Sequence, residues 1–193
     1  MTIDASFLKP VLKVRENDSH KGDYGHLLIV AGCQTMPGAA VLSTGAALQS
    51  GCGLVTLHST ERALQAAAVN FPSAMLSENA GACFDHVPDR IGRYSAIAVG
   101  PGLGRAPETS EAFGNLIDAA REAGVPLVLD ADALNLMAAS PSLQDRLPAG
   151  SVLTPHLGEL RRLVPQPTEE SICALSRRTG GVIFVKGSRW TVY

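Results

Sequence analysis

A chain of 193 residues, 46% apolar and 18% charged, is long enough for one domain with a sizeable core and is not composed like a disordered protein. Its net charge of −2, without any basic run, excludes a nucleic-acid groove, which needs clustered Lys and Arg. No apolar segment approaches the ~20 residues that cross a bilayer, and Met-Thr-Ile-Asp-Ala-Ser is no signal peptide, so a cytoplasmic protein without membrane contact is expected.

In chain order, the first ~20 residues are polar and read as a mobile leading arm. Leu27-Leu28-Ile29-Val30 is the first apolar run, followed by a helix over 39–50, rich in small residues, that stops before Gly51. The runs Leu54-Val55-Thr56-Leu57 and Ala96-Ile97-Ala98-Val99 come next. Residues 108–123 then place Phe113, Leu116, Ile117 and Ala120 on one helical stripe, which Gly124 ends and Pro126 keeps from resuming. Leu127-Val128-Leu129, Ser151-Val152-Leu153 and Val182-Ile183-Phe184-Val185 complete the apolar runs, and Thr168 is placed to cap a helix before the last of them.

Runs that lack polar alternation are strands buried on both faces. Alternating with helices, they imply right-handed βαβ units in an open parallel sheet, one α/β domain over 1–193. The cysteines Cys33, Cys52, Cys83 and Cys173 form no CxxC pair and read as small buried apolar residues. Cys83, Asp85 and His86 have ligand-like spacing but no second pair to complete a tetrahedral site, so they read as a solvated loop. His20, His26 and His58 read as surface or packing residues.

Ligands of open parallel sheets bind beyond the carboxyl ends of the strands. There the sequence places Ala31-Gly32 with Met36-Pro37-Gly38-Ala39-Ala40, then Gly100-Pro101-Gly102-Leu103-Gly104, then Asp130-Ala131-Asp132-Ala133-Leu134-Asn135. Thr154-Pro155-His156-Leu157-Gly158-Glu159 and Lys186-Gly187 follow. Glycines let backbone N–H groups approach an anion. At least one of Asp130 and Asp132 is expected to cap a helix, leaving the other for a substrate hydroxyl or hydrated magnesium. His156 and Glu159 lie one helical turn apart, and Lys186 ends a strongly apolar strand where an ammonium can steady a phosphate.

Together with His20-Lys21-Gly22-Asp23-Tyr24-Gly25 and Ser50-Gly51-Cys52-Gly53-Leu54-Val55, these segments resemble, in the same order, the NAD(P)H-hydrate dehydratases of the ribokinase-like superfamily. The resemblance runs from about His20 to Lys186. It implies a three-layer α/β/α fold with a mostly parallel central sheet. It also implies a reaction in which ADP or ATP, with Mg2+, phosphorylates the hydroxyl of a hydrated nicotinamide so that phosphate can leave and NAD(P)H is restored. By the resemblance, Ala39, Gly102 and His156 contact the hydrated dinucleotide, and Asp130 and Asn135 support the polar cleft. Lys186 and Gly187 begin the adenine-nucleotide segment, which Ser188 or Thr191 continues, and Glu159 acts on magnesium through water. A homo-oligomer, a tetramer in the family, is the expected assembly.

The sequence departs from the family at Ser73-Ala74-Met75, where a glutamate commonly follows Phe71-Pro72. It also contains no Gly-[Thr/Ser]-Gly-Asp segment, the family's anion hole and base, so no catalytic residue is assigned; His156 and Asp132 are weak understudies. The usual C-terminal helices are expected to be missing, and Trp190-Thr191-Val192-Tyr193 looks like a strand entering a sheet. The expectation is a protein that continues past Tyr193 or is covered there by a partner chain. A vitamin-precursor or sugar kinase of the same fold, and a nucleotide-binding module without catalysis, are the alternatives.

Overall fold

The computed structural model describes Ser6 and residues 15–193, so most of the expected leading arm lies outside the described residues. Strands and helices alternate as β1 (His26–Val30), α1 (Pro37–Gln49), β2 (Leu54–Thr60), α2 (Glu61–Asn70) and β3 (Met75–Asn79). Then come β4 (Ala96–Val99), α3 (Pro107–Ala123), β5 (Leu127–Leu129), α4 (Asp132–Ala139), β6 (Val152–Leu153) and α5 (Leu157–Leu163). The last elements are α6 (Glu169–Thr179), β7 (Val182–Val185) and β8 (Thr191–Val192). The eight strands form one sheet in the order β3-β2-β1-β4-β5-β6-β7-β8. Every pairing is parallel except β7 with β8, where Phe184 faces Val192 and Val185 faces Thr191.

Successive strand residues point to opposite faces, and the two faces carry separate cores. Leu28, Val30, Ile97, Val99, Leu127, Leu129 and Ile183 share one core with α3, α4 and α6, and Phe113, Leu116, Ile117 and Ala120 of α3 are fully buried as the stripe predicts. Ile29, Ala31, Val55 and Leu57 pack on the other face against α1 and α2 through Ala40, Ala47, Ala63 and Leu64. The alanines let α1 lie close to the sheet. Helix ends follow their chemistry: Gly124 takes the left-handed conformation after α3, and the Thr168 hydroxyl accepts from Ser171 N at the start of α6. Cys33 is buried as expected, whereas Cys52, Cys83 and Cys173 are half-buried; all four are free. Among the described residues no helix is long and apolar enough to cross a membrane.

The chain runs outward from β1 to β3 on one side, then returns to lay β4 beside β1 and runs outward the other way. The junction of β1 and β4 is therefore the topological switch point, where adjacent loops diverge and open a crevice. On the α1 face, helices stop short of β4–β7. A trough of about 470 Å³ remains there, lined in part by Leu27, Ala98, Val128 and Phe184, with Asp130 and Lys186 at one end. Val128 is 37% exposed although Leu127 and Leu129 on either side are fully buried. Val128→Thr should therefore cost less than about 1 kcal/mol in urea unfolding, despite its place in a parallel sheet, because it leaves no cavity and keeps the β-branch.

Candidate functional site

Five neighbouring strands, β1, β4, β5, β6 and β7, deliver their following loops to one edge. Backbone hydrogen bonds continue past the strand ends and hold those loops in line. Gly32 N donates to Pro101 O (2.8 Å), Gly100 N to Val30 O (3.1 Å) and Asp130 N to Val99 O (3.2 Å). Thr154 N donates to Leu129 O (3.0 Å) and Lys186 N to Pro155 O (2.8 Å). The edge is thus a rigid shelf of backbone, with side chains added to it.

At the switch point, α1 begins with Pro37 in its first turn, and its N-terminal end lies against the loop after β4, with Met36 and Ala39 beside Gly102. Ala39, half-buried in that first turn, stands against Gly102. A Cβ on Gly102 would come within 2.6 Å of the Ala39 Cβ, and Gly102 has φ +63°, so both close approach and backbone conformation demand glycine. Two residues that the sequence places 63 positions apart therefore face each other.

Beyond β5, Asp130 and Asp132 flank Ala131, whose φ of 50° and ψ of −117° are rare for a residue with a side chain. The expectation that one aspartate caps α4 is not met. Ala131 holds the cap position, and no side chain caps the helix. The reason is the turned-over Ala131 backbone, which sends the aspartates elsewhere. Asp130 Oδ1 accepts from Ala131 N (2.8 Å) and from Lys186 Nζ (2.6 Å). Asp132 Oδ2 accepts from Gly104 N (2.9 Å), tying α4 to the loop after β4, and its Oδ1 accepts from Asn135 Nδ2 (3.3 Å).

Two arginines at this rim were not singled out by sequence reasoning. Arg162 Nη1 donates to Asn135 Oδ1 (2.9 Å), and Arg105 Nε lies 4.0 Å from Asp132 Oδ1. Arg162 sits in Leu-Arg-Arg-Leu, which reads as the solvated face of a helix, and no local signal marks it.

Beyond β6, His156 is the N-cap of α5, and its side chain is 56% exposed. Its Nδ1 accepts from Gly158 N (2.9 Å) and Glu159 N (3.4 Å), while Glu159 Oε2 accepts from His156 N (2.9 Å). An accepting Nδ1 leaves the proton of the neutral ring on Nε2, which faces Glu159 Oε1 at 3.4 Å. The one-turn spacing of His156 and Glu159 is therefore a reciprocal capping box, with Glu159 turned inward and buried. His156 also bridges in parallel to Lys186, which joins β6 to β7 at the edge. Gly187 and Ser188 are exposed in the connection between β7 and β8, and Thr191 lies on β8 opposite Val185.

The structure thus brings Ala39, Gly102, Asp130, Asn135, His156 and Lys186 to one edge, with Gly187, Ser188 and Thr191 on the neighbouring hairpin. Among the described residues no group of three or more His, Cys, Asp or Glu could hold a metal ion. A magnesium ion fits this edge only when it arrives with a nucleotide's phosphates, since one or two carboxylates suffice in that setting. Away from the edge, His20 caps a short helical turn at Lys21–Tyr24, and His26 reaches Thr56 Oγ1 at 2.8 Å. His58 is buried behind the loop that carries Cys83, Asp85 and His86.

Comparison with known proteins agrees with this architecture. A family model described as NAD(P)H-hydrate dehydratase matches residues 27–193. A bifunctional NAD(P)H-hydrate repair enzyme of Coxiella burnetii is 34% identical over 185 residues, covering 92% of this chain and 36% of its own. The chain therefore spans about a third of that relative's length. A ribokinase-like superfamily protein of Enterococcus faecalis superposes with a TM-score of 0.85 at 23% identity, over 99% of this chain and 67% of its own, and shows the fold. The ADP/ATP-dependent NAD(P)H-hydrate dehydratase of Bacillus subtilis, co-crystallized with ATP/Mg2+, superposes with a TM-score of 0.77 at 28% identity, over 97% of this chain and 66% of its own. The chain belongs to the NAD(P)H-hydrate dehydratase family and has its ribokinase-like α/β fold.

Proposed function

We propose that residues 1–193 form a single domain that supplies the ligand-binding edge of a cytoplasmic, homo-oligomeric ADP- or ATP-dependent NAD(P)H-hydrate dehydratase. The observation that carries this reading is the packing of Ala39 against Gly102 at the switch point, in line with Asp130, His156 and Lys186 on the next strand ends. In this reading Ala39, Gly102 and His156 contact the hydrated dinucleotide, with Asp130 and Asn135 shaping the polar floor. Lys186, Gly187, Ser188 and Thr191 hold the adenine nucleotide. Magnesium accompanies the phosphates, and Glu159 acts on it through water while orienting His156.

The chemistry asks little covalent work of the protein. Hydroxide is a poor leaving group, and phosphoryl transfer to the ring hydroxyl converts it into phosphate, whose departure restores the ring double bond. Positioning and charge stabilisation are what the shelf can provide. Proton abstraction from the hydroxyl is assigned to a group outside these residues, because no Gly-[Thr/Ser]-Gly-Asp occurs among them.

Calorimetric titration of this chain with NADPH-hydrate and with ADP, beside a turnover assay that follows recovery of NAD(P)H, tests the reading. Binding of both ligands without turnover is expected. Absence of binding for both ligands refutes the cleft assignment, and turnover by the chain alone refutes the assignment of the base.

A further inference from the structure

The ion pair between Lys186 and Asp130 spans an unusual distance in the sheet. Lys186 follows β7 and Asp130 follows β5, with β6 between them. Strands lie about 4.8 Å apart, so the lysine side chain must cross the mouth of β6, about 10 Å of sheet, to place Nζ 2.6 Å from Asp130 Oδ1. Both side chains line one end of the open trough and are about a third exposed, 36% for Lys186 and 33% for Asp130.

The two partners are held very differently. Asp130 is locked at three points. Its N–H donates to Val99 O (3.2 Å), and its Oδ1 accepts from Ala131 N (2.8 Å). Its carbonyl accepts from Ala133 N (3.1 Å) in the first turn of α4. Apart from this ion pair Lys186 is anchored through its backbone, and its four-carbon stem can swing.

We propose that Asp130 is a positioning residue for Lys186: a fixed counter-ion that parks the ammonium across the end of β6 and yields it to a polyphosphate. The proposal rests on the assignment of Lys186 to the nucleotide made above. It goes beyond that assignment by giving the edge a resting state, in which the cation is already partnered. A partly exposed ion pair is worth about 0.2–1 kcal/mol, weak enough for a diphosphate with more than one charge to displace the single carboxylate. Because Asp130 stays fixed by Ala131 and Val99, departure of the lysine leaves the shelf in place.

The test is calorimetric titration of the intact chain with ADP in the presence of a chelator, so that only the ammonium meets the phosphates. Asp130→Asn keeps an oxygen acceptor for Ala131 N–H but removes the competing charge. It is expected to bind ADP roughly two- to fivefold more tightly than the original protein, the affinity held back by an exposed pair. In a Lys186→Gln background the same change should bring no gain, because no lysine remains to be released. Asp130→Ser, a second neutral variant with an acceptor, should reproduce the gain if Asp130→Asn folds poorly. Thermal midpoints measured without ligand report whether each variant is folded. Unchanged or weaker ADP binding by both folded neutral variants overturns the proposal, as does a gain that persists without Lys186. Absence of ADP binding in all the proteins overturns the nucleotide assignment itself, a different result from binding that is indifferent to Asp130.

Discussion

Gly100→Ala is expected to cost more than about 4 kcal/mol and to yield little folded protein, an effect reached only when backbone or core geometry is broken. Two causes act together. Gly100 has φ +127°, a conformation that residues with a side chain rarely adopt. Its Cβ would also stand 1.9 Å from Asp130 O, 2.7 Å from Ala133 Cβ and 2.9 Å from Ala133 N. The first and third are backbone atoms fixed by β5 and α4, so relief requires the loops after β4 and β5 to part. Gly104→Ala is the control. Gly104 also has a positive φ, +81°, but nothing lies within 4 Å of its Cβ position, so it should lose only about 1 kcal/mol. Urea unfolding of the pair, with soluble yield as the first readout, separates close approach from backbone strain. Equal losses for the two variants would show that the contact between the β4 and β5 loops does not hold this edge together.

That contact marks the limit of what the sequence shows. Gly100 to Gly104 announces a tight loop after an apolar strand, and its place at the edge follows from the alternation of strands and helices. Nothing local says that the glycine is there for the carbonyl of a residue 30 positions later. The same holds for Asp130 and Lys186, which are 56 residues apart and meet only because β6 lies between their strands. His156 and Glu159 were legible as a pair from their spacing, but the capping geometry, with Glu159 turned inward, depends on where α5 starts.

The strands of the sheet interior declared themselves as apolar runs, although the expectation that all are buried on both faces fails at Val128, which the trough leaves exposed, and at Val182. β3 did not, because Met75-Leu76-Ser77-Glu78-Asn79 is an edge strand of mixed polarity with Met75 and Leu76 exposed. α2 also went unmarked. It begins at Glu61, directly after the last residue of β2, with no turn residue between them to punctuate the change. The aspartate cap expected at α4 failed for a further reason: the positive φ of Ala131 is a tertiary feature that no propensity predicts.

Acid should weaken this fold through His58. The ring is 1% exposed at the end of β2, with Nδ1 2.9 Å from Ser77 Oγ on β3. The rings of Phe84 and His86 stand edge-on to it with centroids at 5.7 and 5.1 Å, and Asp85 Oδ1 is 2.7 Å from His86 Nδ1. Burial first, and the positive charge of His86 second, lower the His58 pKa from 6.5 to about 4, against smaller upward pulls from His86's backbone, Asp85 and Asn79. The native ring therefore stays neutral where the unfolded ring takes a proton. Its contribution to stability is complete above pH ~6.5 and is lost progressively as pH falls towards ~4. The loss amounts to roughly 2–3 kcal/mol by about pH 4.5. His26 is shifted in the same direction, by burial and then by Arg93, so its effect adds to the total. Urea unfolding of the original chain and of His58→Gln, at about pH 7 and about pH 4.5, isolates the His58 share as the difference between two differences. The variant should be the less stable protein at the higher pH and lose roughly 2–3 kcal/mol less on acidification. Equal losses for the two proteins would place the acid sensitivity elsewhere and leave His58 a passive packing residue.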